Sequence, residues 1–190
     1  DAWRGLLRGI ESVDFREVPS DVVGRIFQKL IGPDERHRYG QHFTGDDPVD
    51  LINVFCIRTP GAVLLDPASG SASFLVRAYY RKKYLDPKRS HRDLIADLFG
   101  CDIAQYPAHL ATLNLAAREI NDEANYPRIV RRNFFDFKPT QPFCQLPAPG
   151  GNPEDHVPVM LPALDAVVGN PPYVRQEKVE KKDKARYGQI

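Results

Sequence analysis

A chain of 190 residues with 42% hydrophobic content is long enough to bury one real core, and its net charge of +1 excludes a protein that wraps nucleic acid through its overall field. Three widely spaced cysteines (Cys56, Cys101, Cys144) lack C-x-x-C spacing, which excludes a disulfide framework, gives no metal site and suits a reducing compartment. No apolar run approaches the roughly 18 residues of a membrane span, and Asp1-Ala2-Trp3-Arg4 has neither an initiator Met nor a signal-peptide layout, so the expectation is a soluble cytoplasmic protein cut from a longer chain.

In chain order, a first helix is expected just past Pro19. Ser20 caps it, Val22, Val23, Ile26, Phe27, Leu30 and Ile31 recur at helical spacing, and Gly32-Pro33 stops it. A polar stretch follows that holds Tyr39-Gly40-Gln41-His42-Phe43-Thr44. Asp47-Pro48 opens a second helix, with Val49, Ile52, Phe55 and Cys56 on one face. From Gly61 the rhythm changes. Ala62-Val63-Leu64-Leu65 is a continuous apolar run before Asp66, the pattern of a strand buried on both faces. A small-residue turn then leads into a helix over about residues 74–84. Ser90 caps a short helix, residues 98–103 read as a second strand, and residues 107–120 as a long amphipathic helix. Ile129-Val130 marks a third strand and residues 164–168 a fourth. Strands alternating with helices predict an α/β fold, a mostly parallel sheet with helices on both faces. Residues 138–162 hold seven of the 17 prolines together with Gly150-Gly151, and are expected to form an irregular surface loop. Residues 175–190 carry six Lys/Arg against three acidic residues, either as a solvated tail or as a DNA contact.

Candidate site residues fall at strand ends. Asp66-Pro67-Ala68-Ser69-Gly70-Ser71-Ala72-Ser73 is a turn whose small side chains let backbone approach a ligand, ahead of a helix with unpaired N–H groups. No Gly-Lys-Ser/Thr ending follows, which argues against a triphosphate. Asp102, at the end of the second expected strand, is placed to take both hydroxyls of a ribose, or else to cap the following helix. Asn133-Phe134, past the third strand, is either an amide and a ring that meet an adenine, or a turn Asn beside a packed Phe.

The most informative element is Asn170-Pro171-Pro172-Tyr173, which follows Ala166-Val167-Val168 and Gly169. An amine conjugated to an aromatic ring is a poor nucleophile because its lone pair is delocalised. Two acceptors aimed at its N–H bonds draw it toward tetrahedral geometry and free that lone pair. The Asn170 side-chain oxygen and the Pro171 main-chain carbonyl are suited to this, and the fixed proline φ holds the loop ready before reaction. Tyr173 offers a ring for an extruded base to stack on. Methyl transfer to such an amine then needs alignment of nitrogen, methyl carbon and sulfonium rather than a strong base. The plain alternative is a proline-rich turn with a packed tyrosine.

Together these motifs resemble the N-terminal half of the N6-adenine DNA methyltransferases of restriction-modification and phage-defence systems. The resemblance runs from about Pro19 to the end. Phe43-Thr44 closes a motif that resembles the one lining the methionine end of the cofactor. Asp66 to Ser73 with Phe74 resembles the glycine-rich cofactor motif, and Asp102-Ile103 with Asn114-Leu115 the ribose-binding strand and its helix. Asn133-Phe134 falls where the family meets the cofactor adenine, and residues 169–173 resemble the catalytic motif. The resemblance implies a Rossmann-like fold that uses S-adenosylmethionine to methylate N6 of a flipped adenine in double-stranded DNA. It further implies an N-terminal helical segment over residues 1–45, an incomplete catalytic domain over residues 46–190, specificity or restriction subunits as partners, and no membrane. Gly45 replaces a common proline, Ala72 replaces a common second glycine so that its methyl is expected close to the ligand, and Asn133 replaces a common aspartate. A protein glutamine methyltransferase with a similar Asn-Pro-Pro-Tyr loop, or a non-catalytic cofactor- or subunit-binding module, are the rival readings.

Overall fold

The computed structural model describes residues 44–148, 154–173 and 184. The helix expected past Pro19, Phe43 and nearly all of the basic stretch after Tyr173 lie outside the described residues. The described chain begins with α1 (Asp46–Cys56), β1 (Leu64–Asp66), α2 (Ser73–Leu85) and α3 (His91–Ala96). Then come β2 (Leu98–Asp102), α4 (Gln105–Ala116), β3 (Arg128–Arg131) and a 3-10 turn (Phe134–Asp136). A hairpin of β4 (Cys144–Pro147) and β5 (His156–Val159) leads to β6 (Ala166–Val167).

Four strands form a parallel sheet in the order β3-β2-β1-β6. The chain steps outward from β1 to β3 and returns to the other side of β1, with Leu64 opposite Ala166 and Leu65 opposite Val167. Alternation along the strands divides the core in two. Leu64 and Leu98 point to one face, where Ala72, Leu75, Ala78, Leu94, Ile95, Ala111 and Leu115 of the helices close over them. Leu65, Phe99 and Cys101 point to the other, against Phe143 and partly buried Phe134, Phe137 and Val159.

That second face corrects two expectations. Among the described residues it is covered by aromatic side chains and the hairpin rather than by helices, and residues 138–162 supply the two strands of this hairpin where only irregular loop was expected. Its prolines are compatible because both strands of a two-stranded ribbon are edges, where a missing N–H is tolerated; Pro158 pairs with Gln145 and Pro147 with His156. The ring of Phe143 stacks on Phe137 at 4.9 Å and meets Phe99 edge-on at 5.1 Å, which ties the hairpin root to the sheet.

Helix boundaries follow local chemistry. Ser90 caps α3 by accepting from Asp93 N at 3.1 Å. The helix expected to reach residue 120 ends at Ala116 because Asn125 Nδ2 takes the carbonyls of Ala116 and Glu119 at 2.8 and 2.9 Å. On α1 the expected apolar face is not the buried one. Val49 and Asn53 are buried, whereas Ile52 and Phe55 are 39% and 65% exposed. Polar anchors decide its rotation: Asn53 Nδ2 donates to Phe74 O at 3.1 Å, and Arg77 of α2 pairs with Asp50 and Asp46.

Beneath β1, Lys82 is fully buried and its Nζ donates to Asp97 Oδ2 at 2.7 Å and Ala62 O at 2.5 Å. Arg89 reaches the same carboxylate oxygen at 2.9 Å. Burial lowers the Lys82 pKa, opposed by Asp97. Removing one partner of a buried pair leaves an uncompensated charge. Asp97→Ala is therefore expected to lower stability by about 3–5 kcal/mol in urea unfolding, and adding Lys82→Met is expected to recover much of that loss.

Candidate active site

Three strand ends converge at one edge of the sheet. Asp66 ends β1, Asp102 ends β2, and Asn170 lies just past β6. β1 and β6 are neighbours where the strand order doubles back, the crevice in which open parallel sheets take ligands.

The turn after β1 is held from several sides. Asp66 Oδ1 accepts from Ala68 N at 3.1 Å. Ser69 N donates to Cys101 O at 2.8 Å, and Ala72 N to Ser69 O at 2.7 Å. Asn114 Nδ2 of α4 donates to Ser71 O at 2.8 Å. The Cys101 thiol donates to Pro67 O at 3.1 Å, and burial pushes that thiol up to about 12, which keeps it protonated. A Cβ on Gly100 would lie 2.6 Å from Ile129 Cδ1, 2.8 Å from Leu75 Cδ1 and 3.2 Å from Ser69 Cβ. The missing side chain at residue 100 lets the turn and α2 pack closely on β2, since a Cβ there would make the Ile129 and Leu75 ends shift.

Gly70 and Ala72 both take left-handed backbone, with φ of 52° and 70°. A Cβ on Gly70 would meet nothing within 4 Å, so its glycine serves the backbone angle and the turn is open on that side. Ala72 is fully buried within the helix-side core. Its methyl is thus packed in protein, contrary to the expectation of a methyl against the ligand, and its cost is backbone strain of roughly 1–2 kcal/mol.

Asp102 does not cap α4, whose N-terminus has no side-chain cap; it holds its own loop and the turn after β1. Its Oδ1 accepts from Ala104 N at 2.8 Å just ahead of α4, and its Oδ2 accepts from Gly70 N at 3.0 Å. A carboxylate has about four acceptor sites, so these two bonds leave lone pairs for hydroxyl donors. Burial raises its pKa, against the lowering effect of the Ala104 and Gly70 N–H groups. Asp66 is buried far more completely. Burial pushes it up to about 7, with the Ala68 N–H opposing and the Asp102 charge adding to the rise. Beside these carboxyls the Ser69 hydroxyl is buried with no hydrogen-bond partner among the described residues. An orphaned hydroxyl, a turn open above Gly70 and a carboxylate with lone pairs to spare suit a ligand carrying hydroxyls and polar groups, as the implied cofactor does.

The loop after β6 is locked to this turn. Val168 N donates to Leu65 O at 2.9 Å. A Cβ on Gly169 would lie 2.6 Å from Asp66 Oδ1, so this glycine is a steric requirement of the loop passing over the carboxyl. Asn170 Nδ2 donates to Thr44 Oγ1 at 3.1 Å. Pro171, Pro172 and Tyr173 are exposed, Tyr173 by 82%.

The structure thus brings Thr44, Asp66, Pro67, Ala68, Ser69, Gly70, Asp102 and Asn170 into one contiguous set. Ser73 opens α2, while the Phe74 ring lies in the core. Ile103 is exposed, and its carbonyl accepts from Arg131 Nε at 3.5 Å. Asn133 caps the 3-10 turn by accepting from Phe135 N at 3.1 Å. Phe134 packs 6.1 Å from Phe137. This pair adjoins the site through Arg132 N, which donates to Asp102 O at 2.9 Å. Sequence reasoning missed the support given by Gly100, Cys101 and Asn53. A glycine amid a strand pattern was the one available signal.

The raised Asp66 pKa gives a stability test. Its folded value of about 7 lies above the ordinary 3.8. The stabilisation from the neutral carboxyl is therefore complete below about pH 4 and is lost as pH rises through about 7, by on the order of 4 kcal/mol. Asp66→Asn is expected to remove this dependence, so that in denaturant unfolding the variant gains on the wild type between pH 5 and pH 8.

The model of the family described as N-6 DNA Methylase matches residues 18–190. Among solved structures, a modification subunit of a putative type I restriction enzyme from Vibrio vulnificus YJ016 is 24% identical, with a TM-score of 0.41 over 60% of this chain and 23% of that one. A structure of the type I R-M system, described for its complex assembly and conformational transition, is 24% identical with a TM-score of 0.45 over 62% of this chain and 24% of that one. A DrdV-DNA complex is 21% identical with a TM-score of 0.41, over 58% and 12%. The chain spans about a quarter of the length of the first two of these structures.

Proposed function

Since the chain belongs to the N-6 DNA methylase family, we propose that it carries the cofactor pocket and catalytic loop of an adenine-N6 DNA methyltransferase that uses S-adenosylmethionine. The observation that supports this reading is the close approach of Gly169, at the head of the Asn170 loop, to the Asp66 carboxyl, as expected if an amine-binding loop adjoins a nucleoside pocket. Asp102 is assigned to the ribose hydroxyls, with Ser69 and the open side of the Gly70 turn beside it. Ile103, Asn133 and Phe134 are assigned to the adenine side of the pocket, and Phe43 to its methionine end. S-adenosylmethionine, when bound, supplies an electrophilic methyl group.

In this reading the Asn170 Oδ1 and the Pro171 carbonyl accept from the two N–H bonds of the flipped adenine. That pulls the nitrogen out of conjugation and presents its lone pair. Pro171 and Pro172 limit the loop's backbone freedom, so the acceptors do not reorganise during reaction. Tyr173, exposed at the sheet edge, is assigned to stack on the extruded base. Asp66, whose buried carboxyl rises to about 7, positions the loop and is not assigned as base. Among the described residues no helix is long and apolar enough to cross a membrane. A cytoplasmic restriction-modification enzyme with separate specificity or restriction subunits is the setting we propose.

Asn170→Ala in the intact protein is expected to lower kcat for methylation of adenine-containing duplex DNA by about 10³-fold or more. Calorimetric affinity for S-adenosylmethionine is expected to stay nearly unchanged. Equal loss of both would assign Asn170 a structural role instead.

A further inference from the structure

The contact between Thr44 and Asn170 joins residues 126 positions apart, and its geometry bears on the reaction. A carboxamide is nearly symmetric in shape but opposite in chemistry at its two ends. If Asn170 turned its NH₂ toward an amine, two donors would face each other. If its plane swung away, the oxygen would miss the nitrogen it must meet. A free asparagine side chain has a broad, roughly two-fold terminal torsion, so the backbone alone does not settle the plane. Here the NH₂ end is already engaged: Nδ2 donates to Thr44 Oγ1 at 3.1 Å, and both side chains are partly buried. The oxygen end is left directed away from Thr44.

Thr44 lies next to a fixed element. It stands two residues ahead of α1, and α1 is clamped to α2 by the Arg77 pairs with Asp46 and Asp50 and by Asn53 Nδ2 on Phe74 O. On the far side of Asn170, Gly169 is pressed against Asp66 Oδ1. The amide therefore sits between a backbone paired with β1 and a hydroxyl two residues ahead of α1.

We propose that Thr44 is a positioning residue for the methyl-transfer step: its hydroxyl oxygen holds the Asn170 NH₂ group so that Oδ1 is presented to the acceptor amine. This rests on the reading of Asn170 as the amine-orienting group, and it differs from a role for Thr44 in holding the cofactor. Thr44→Val keeps shape and removes the acceptor, whereas Thr44→Ser keeps the hydroxyl.

The test compares these two variants with the wild type in the intact protein. Thr44→Val is expected to lower kcat by about 10- to 100-fold, the scale of a small misplacement of a reacting group. The KM and calorimetric Kd for S-adenosylmethionine are expected to be little changed, and Thr44→Ser is expected to restore most of kcat. Adding Thr44→Val to Asn170→Ala is expected to cause no further loss, because the residue it orients is gone. A loss confined to cofactor affinity, or an unchanged kcat, would overturn the proposal. A second readout does not depend on turnover. The Asn170 side-chain amide resonances, identified by their disappearance in Asn170→Ala, are expected to shift and exchange faster in Thr44→Val but not in Thr44→Ser. Unmoved resonances would overturn the contact even if the wild type proved inactive on adenine, an outcome that would count against the broader reading separately.

Discussion

Asp66 occupies the point where the sheet reverses its strand order, and it is buried there with its carboxyl against backbone from two directions. Below, Ala68 N fixes one oxygen. Above, the chain leaving β6 passes so close that only glycine fits at residue 169. The ends of β1 and β6 are therefore packed together, with the Asp66 turn against the start of the Asn170 loop. Burying a carboxyl at this point is costly and raises its pKa to about 7. Such a cost is commonly carried at sites where geometry matters more than stability.

The surrounding structure supports that junction from both faces. On the helix side, Leu75 and Ile129 crowd Gly100 and bring the turn down onto β2. On the other side, Phe143, Phe137 and Phe99 hold the hairpin over the sheet. Asp102 then links the second strand to the turn through Gly70, and Asn114 links α4 to it through Ser71. Most of the polar contacts at the site run between elements far apart in sequence. That arrangement suits a pocket set by the fold itself rather than by a single loop.

How much of this was legible in sequence depended on whether the deciding interaction was local. The four strands, the Ser90 cap and the turn after Asp66 were readable because apolar runs, caps and small-residue turns act within a few residues. The rotation of α1 was not, because Asn53 and Asp50 bond to partners more than 20 positions away and turn the helix so that Asn53 is buried. The hairpin was hidden by its prolines, which normally argue against strands and are compatible here with a two-stranded ribbon. The role of Gly169 was hidden, since nothing nearby in sequence reveals the carboxyl it must clear. The motif at residues 170–173 was legible as chemistry, but its tether to Thr44 spans most of the described chain.

The central claim is that the Asn170 loop acts on the exocyclic amine of adenine in DNA. The most direct measurement uses the intact protein, isotopically labelled S-adenosylmethionine and duplex DNA, with the labelled nucleoside identified by mass spectrometry after digestion. The expected result is label in N6-methyl-2′-deoxyadenosine. Label on cytosine, on protein, or nowhere in a protein that binds the cofactor would contradict it.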